Sequence, residues 1–236
     1  MANAASILAG GTGQRMQSDL PKQFMDLRGE PLISRTLRPF MNSGAFSTLA
    51  VAIHPDWHEH LAELLDRHWP GQSIHLVPGG LTRQASSHHV LEHFARLPNP
   101  PRGVLIHDAA RCLLSPQLLH RCVRALMQTR AFTCAIETTD TIAILAEGRL
   151  AQVPSRETLR RIQTPQGFDF RTILSAHRQA LERGLTNVSD DAQLLLHLGV
   201  TVQVIPGDSM NLKISHPGDF ALAEFLLNHQ SPAGGP

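Results

Sequence analysis

Two cations and three glycines stand close together near the start of the chain: Gly10, Gly11 and Gly13, then Arg15 and Lys22. Glycines let a backbone bend sharply and bring its N–H groups close to an anion. Arg15 can offer a planar fork to phosphate oxygens and Lys22 a compact point charge. Together they suit a polyphosphate, which points to a nucleoside triphosphate. Two familiar phosphate loops do not fit. A Walker loop needs GxxxxGK[ST], and here Lys22 is preceded by Pro21. A dinucleotide loop needs GxGxxG, and Met16 stands where its third glycine belongs. What remains is an apolar run at 5–9, a glycine turn carrying Arg15, and then Pro21-Lys22-Gln23-Phe24.

These residues need a frame. Apolar, β-prone runs occur at 5–9, 48–53, 73–77, 103–106, 132–136 and 200–205. Helical patterns are predicted over 31–41, 57–68, 82–95, 115–129, 170–183, 190–198 and 217–227. Strands alternating with helices indicate βαβ units, a mostly parallel sheet and helices on both faces. In such an α/β fold ligands sit beyond the carboxyl ends of the strands. The glycine turn and His107-Asp108-Ala109-Ala110-Arg111 both follow strands, so both belong at that rim. The stretch around 139–161 breaks the alternation. Residues 141–145 and 149–153 flank Glu147-Gly148 and read as a β-hairpin arm leaving the main body. No repeat or interdomain linker is evident, so residues 1–236 read as one domain with an arm. Residues 228–236 read as a frayed tail.

Composition narrows the function. The chain has 236 residues, a net charge of +1, 42% hydrophobic and 17% charged residues. Near-neutral charge argues against a general nucleic-acid binder. No apolar run approaches the roughly 20 residues needed to cross a bilayer, so no membrane partner is expected. No basic segment precedes the first apolar run, so no signal peptide is expected. Cys112, Cys122 and Cys134 form no CxxC pair and suit buried thiols in a reducing cytoplasm. The 14 histidines are scattered, without zinc spacing, and most are expected at the surface. No Ser-His-Asp or Cys-His constellation is recognisable.

Later motifs extend the pattern. In order they are Gly79-Gly80-Leu81-Thr82-Arg83-Gln84-Ala85-Ser86, His107 to Arg111, Asp140-Thr141, Gln163-Thr164-Pro165-Gln166-Gly167-Phe168, Ser189-Asp190-Asp191-Ala192 and Asn211-Leu212-Lys213. With the glycine turn, they resemble the signature of sugar-type nucleotidyltransferases. The resemblance is strongest to the 2-C-methyl-D-erythritol 4-phosphate cytidylyltransferase family of non-mevalonate isoprenoid synthesis, and it spans nearly the whole chain. It implies a Rossmann-like fold of the nucleotide-diphospho-sugar transferase type and transfer of CMP from CTP to a polyol phosphate. It also implies Mg²⁺ as a bridge between phosphate oxygens and a homodimer joined through the arm.

The resemblance assigns roles to residues. Arg15, Lys22 and Lys213 are the implied catalytic cations. Ala9, Gly10, Gly11, Thr12 and Gly13 cradle the phosphates. Gly79, Gly80 and Ser86 read the cytosine, and Arg83 braces that segment. Asp108 lies near ribose, phosphates and metal, and is the implied Mg²⁺ ligand; its alternative role is an N-cap or an ion pair with Arg111. Arg111 stands on the acceptor side. Thr141 and Arg156 on the arm reach the polyol phosphate of a neighbouring subunit. Thr164 is grouped with the acceptor-binding residues, and with Asp190 is expected to organise the site from behind. Such a reaction needs no nucleophilic side chain; alignment and charge stabilisation suffice.

The chain departs from the family pattern at Ala9-Gly10-Gly11, at Cys112, at Ser155-Arg156 and at Ile142-Ala143-Ile144. The loop and arm departures are tolerable in D-ribitol 5-phosphate cytidylyltransferase, the alternative reading. The segments 163–168 and 189–192 favour methylerythritol phosphate. A non-catalytic nucleotide-binding protein would lack Arg15, Lys22 or Lys213, and all are present. A dinucleotide-dependent oxidoreductase would need the missing glycine and an acidic residue about 20 positions on, for which Asp26 and Glu30 are weak substitutes.

Overall fold

The computed structural model describes residues 2–11 and 20–229. Thr12, Gly13 and Arg15 of the expected phosphate cradle lie outside the described residues, as do 230–236 of the expected tail. Seven strands form one sheet in the order β3-β2-β1-β4-β8-β5-β9. They are β1 (Asn3–Ala9), β2 (Thr48–Ile53), β3 (Ile74–Pro78), β4 (Gly103–Asp108), β5 (Ala131–Glu137), β8 (Arg160–Asp169) and β9 (Gln203–Pro206). All pairings are parallel except those of β8, which runs antiparallel to both β4 and β5.

Alternation along each strand feeds two cores. Ala5, Ile7, Leu49, Val51 and Ile53 face α1 (Leu32–Asn42), α2 (His58–His68) and α4 (Pro116–Gln128). Ala4, Leu8, Ala50 and Ala52 face α3 (Arg83–Ala95), α5 (Phe170–Glu182) and α6 (Asp191–His197). This period-two pattern forces helices onto both faces. Capping fixes where the helices begin. Thr82 accepts from the Ala85 N–H at 3.0 Å, Ser115 from Leu118 at 3.2 Å, and Asp169 from Thr172 at 2.9 Å. A third cluster joins Leu27, Leu32, Cys112, Leu113, Ile214 and Ala223 of α7 (Pro217–His229). It packs together the chain segments that follow Lys22, Asp108 and Lys213.

Three expectations need correction. The motif at 163–168 is the interior of a central strand, β8. Opposite it, Thr133 pairs with Gln166 and Cys134 with Gln163, so Thr164-Pro165 forms a bulge. At 200–205 only Gln203–Pro206 is strand. The Val200 N–H is spent on Leu195 O at 2.9 Å, closing the end of α6. The helix expected to stop at 227 runs to His229. Most histidines are exposed, as expected, while His107 and His177 are fully buried.

The arm is present as a separate hairpin, β6 (Ile144–Ala146) paired antiparallel with β7 (Arg149–Gln152). Glu147 and Gly148 both take positive φ, 51° and 74°, as a tight hairpin turn requires. Residues 141–143, expected in its first strand, lie outside it.

Candidate active site

A cavity of about 530 Å³ opens at the carboxyl ends of β1 and β4. Ala9, Gly10 and Gly11 continue from β1, and Lys22 lines the cavity with them. Gly80, Arg83 and Ser86 come from the start of α3; Asp108 ends β4, and Lys213 lies opposite. Of the described residues expected to be catalytic or to bind CTP, all but Gly79 line this cavity.

Hydrogen bonds hold these segments in place. Gln23 is buried and donates Nε2 to Ala9 O at 2.9 Å, fastening the Lys22-Gln23 segment to the end of β1. Lys22 Nζ donates to Ile214 O at 3.0 Å, and the Ile214 N–H to Ala110 O at 2.8 Å. The Gly-Gly of the third motif has a steric reason. A Cβ on Gly80 would collide with Ala85 Cβ, so only glycine lets the chain turn into α3 here. The Gly80 N–H then donates to Ser86 Oγ at 3.0 Å, and Ser86 Oγ donates to Thr82 O at 3.0 Å.

The charged wall is a chain. Lys213 Nζ donates to Asp108 Oδ2 at 2.7 Å, and Arg83 Nε to Asp108 Oδ1 at 3.0 Å. Arg83 Nη1 donates to Asp191 Oδ2 at 2.6 Å, and His177 meets Asp191 Oδ1 through Nε2 at 2.9 Å. Burial alone would raise the pKa of Asp108; Arg83 and Lys213 outweigh it and hold the carboxyl well below the usual range. Asp191 follows the same logic, with burial opposed by Arg83 and His177. Burial works against the charge on Arg83, but its two carboxylates push its pKa up. All three groups stay ionised near neutrality.

Other expected site residues stand elsewhere. The Arg111 side chain does not pair with Asp108. It donates to Asn211 O at 2.8 Å and Ile162 O at 3.3 Å, and so ties the Lys213 segment to β8. Only its backbone N–H reaches Asp108, donating to the carbonyl at 3.0 Å. Thr164 is 4% exposed and lies behind the cavity wall rather than on it. Its hydroxyl accepts from the Asp108 N–H at 3.1 Å and donates to His107 Nδ1 at 3.0 Å. His107 Nε2 then donates to Arg111 O at 3.1 Å. Burial lowers the His107 pKa to about 4, so the ring is neutral. Asp190 caps α6 by accepting from the Gln193 N–H at 3.2 Å. Thr141 and Arg156 are exposed beside the arm and do not line the cavity. Gln23, His107 and Asp191 stand within the sequence motifs, but spacing alone assigns them no role. His177 carried no signal beyond lying on a predicted helix.

The chain has counterparts among known proteins. A family model for 2-C-methyl-D-erythritol 4-phosphate cytidylyltransferase matches residues 4–229. The chain belongs to that family. The cytidylyltransferase so named from Thermosynechococcus vestitus is 39% identical over 229 residues, covering 95% of this chain and 94% of its own. That from Synechococcus elongatus is 37% identical over 225 residues, covering 95% of each. Among solved structures, the 4-diphosphocytidyl-2C-methyl-D-erythritol synthase from Anaerococcus prevotii superposes with a TM-score of 0.82 at 26% identity, covering 96% of this chain and 98% of its own. The cytidylyltransferase from Thermus thermophilus gives 0.74 at 29%, with 94% and 98% covered. Lys22, Arg83 and Lys213 are the cations among the described residues that line this cavity.

Proposed function

We propose that the protein transfers CMP from CTP to 2-C-methyl-D-erythritol 4-phosphate, giving 4-diphosphocytidyl-2-C-methyl-D-erythritol and pyrophosphate. Family membership and the cationic wall built on Asp108 carry this reading together. A phosphate oxygen of the polyol phosphate attacks the α-phosphorus of CTP. The bond from that phosphorus to the bridging oxygen breaks, and its electrons leave with pyrophosphate. Lys22 and Lys213 face the phosphates and stabilise the charge that gathers during transfer. Arg15, on the resemblance, adds a third cation. Gly80 and Ser86 give a narrow polar wall suited to a pyrimidine edge.

Magnesium belongs to this proposal. Asp108 is the only carboxylate among the described residues lining the cavity, and no cluster of three potential ligands occurs among the described residues. That donor set fits a Mg²⁺ held mainly by substrate phosphates, with Asp108 as its protein carboxylate. When bound, the ion neutralises phosphate charge. The homodimer is proposed from the arm, whose Leu145 and Leu150 are 61% and 67% exposed. An isolated hairpin is marginal in water and is stabilised by a partner surface. A partner would also bring Thr141 and Arg156 to a neighbouring cavity. Three free, buried cysteines support a reducing, cytoplasmic setting.

The deciding assay incubates the protein with CTP, Mg²⁺ and each polyol phosphate and measures pyrophosphate release. Release with methylerythritol phosphate is expected. Release with ribitol 5-phosphate alone would transfer the assignment, and release with neither would overturn it.

A further inference from the structure

The charged chain does not end at the cavity. It continues inward through Asp191 to His177, and both are 0% exposed. We propose that the buried His177–Asp191 pair is a positioning device, holding Arg83 so that Asp108 is shared with Lys213 instead of being captured by Arg83 alone.

The guanidinium geometry carries the argument. Arginine can grip one carboxylate with two parallel N–H groups. Here it does not: Asp108 receives only Nε, while Nη2 is buried without a hydrogen-bond partner. Nη1 is instead drawn to Asp191 Oδ2, on the opposite side of the chain from Lys213. The second Asp108 oxygen is left for Lys213, which stands on the cavity wall. Asp191 can hold Arg83 in this way only if Asp191 is itself fixed. Its backbone N–H donates to Gln166 Oε1 at 3.2 Å, and its Oδ1 accepts from His177 Nε2 at 2.9 Å. An ionised carboxylate only accepts, so Nε2 carries the ring proton. His177 Nδ1 has no partner.

Packing does not require this pair. Ile173 and Ala176 of α5 already share an apolar core with Leu194 and Leu195 of α6. A buried polar pair adds little over apolar residues of similar volume. Its benefit lies in geometry. Without the His177 N–H, Asp191 keeps Ser87 beside it but loses a donor that both fixes its buried carboxylate and keeps it ionised. Its hold on Arg83 weakens, and Arg83 closes on Asp108 and displaces Lys213 from the position facing the phosphates.

The proposal rests on the cytidylyl-transfer reading, and its test separates the two. CTP dissociation constants by calorimetry, and KM for CTP at saturating acceptor, are compared for wild type, His177→Leu and His177→Gln. Loss of the donor is expected to raise both constants at least about fivefold, the scale of one lost buried hydrogen bond. Glutamine, whose Nε2 can still donate, is expected to restore most of that loss. In an Arg83→Ala background, His177→Leu is expected to add little, because its effect passes through Arg83. A purely structural role would lower the amount of active protein and leave both constants unchanged. Unchanged constants in folded His177→Leu, or an undiminished loss on top of Arg83→Ala, would overturn the proposal. If His177→Leu does not fold, His177→Asn, too short to reach Asp191, takes its place. Absence of turnover in the wild type overturns the reaction alone, since CTP affinities still decide the positioning role.

Discussion

Lys22 shows how a residue can be read from sequence while its placement cannot. Its spacing from the glycines marked it as a phosphate cation. Its anchoring by Ile214 O, 192 positions away, depends on the fold. Replacing Lys22 with alanine should lower kcat at least about 100-fold, the scale of losing one strong transition-state donor. Pyrophosphate release checks this, and near-normal turnover would refute it. His107 gives a second prediction. Its pKa falls from 6.5 to about 4 in the folded chain because it is buried. Between those values the unfolded chain binds more protons, so stability rises with pH across that window and is lost as pH falls through it. The linkage is worth up to about 3 kcal/mol. Urea midpoints measured from pH 7 to pH 4 should drop, and a neutral His107→Gln variant should drop less. An equal slope in both would show that His107 does not carry the effect.

At the scale of elements, periodicity located β1, β2, β4 and β5 to within a few residues and passed over β8. Pro165 and Gly167 weaken a strand signal. Both are tolerated because the neighbours require them or leave room. Pro165 sits in the bulge, where no partner on β5 needs its missing N–H. A Cβ on Gly167 would run into the Phe132 ring. Gly167→Ala should therefore cost about 1–3 kcal/mol by overpacking. Chemical denaturation should show a lower midpoint at an unchanged slope. A midpoint equal to wild type would mean that β5 yields without cost. The bulge also serves the site, turning Thr164 to meet the Asp108 N–H. Its motif was legible as part of a signature, but its position behind the wall was not.

For the whole molecule, the arm tests assembly. Its two short strands pair only with each other, so they add nothing to the seven-stranded sheet. Replacing residues 142–153 with a short Gly-Ser link should leave the seven-stranded domain folded, with an unchanged far-ultraviolet circular dichroism spectrum. It should convert a dimer to a monomer in light scattering and raise KM for the polyol phosphate. A wild type that is already monomeric would sink the shared-site proposal. Local sequence alone carries the alternation of strands and helices and the order of the motifs, and it raises the expectation of polyphosphate chemistry at the glycine turn. These follow from local spacing, which a chain carries before it folds. Only the tertiary structure decided that Arg83 spans Asp108 and Asp191, that Arg111 and Thr164 brace the wall, and that His177 stands behind them. Those contacts join residues 25 to 108 positions apart, except His177 and Asp191, which are 14 apart on two helices. Ion pairing depends on distance in space and burial, and neither is set until the sheet has brought its strand ends together.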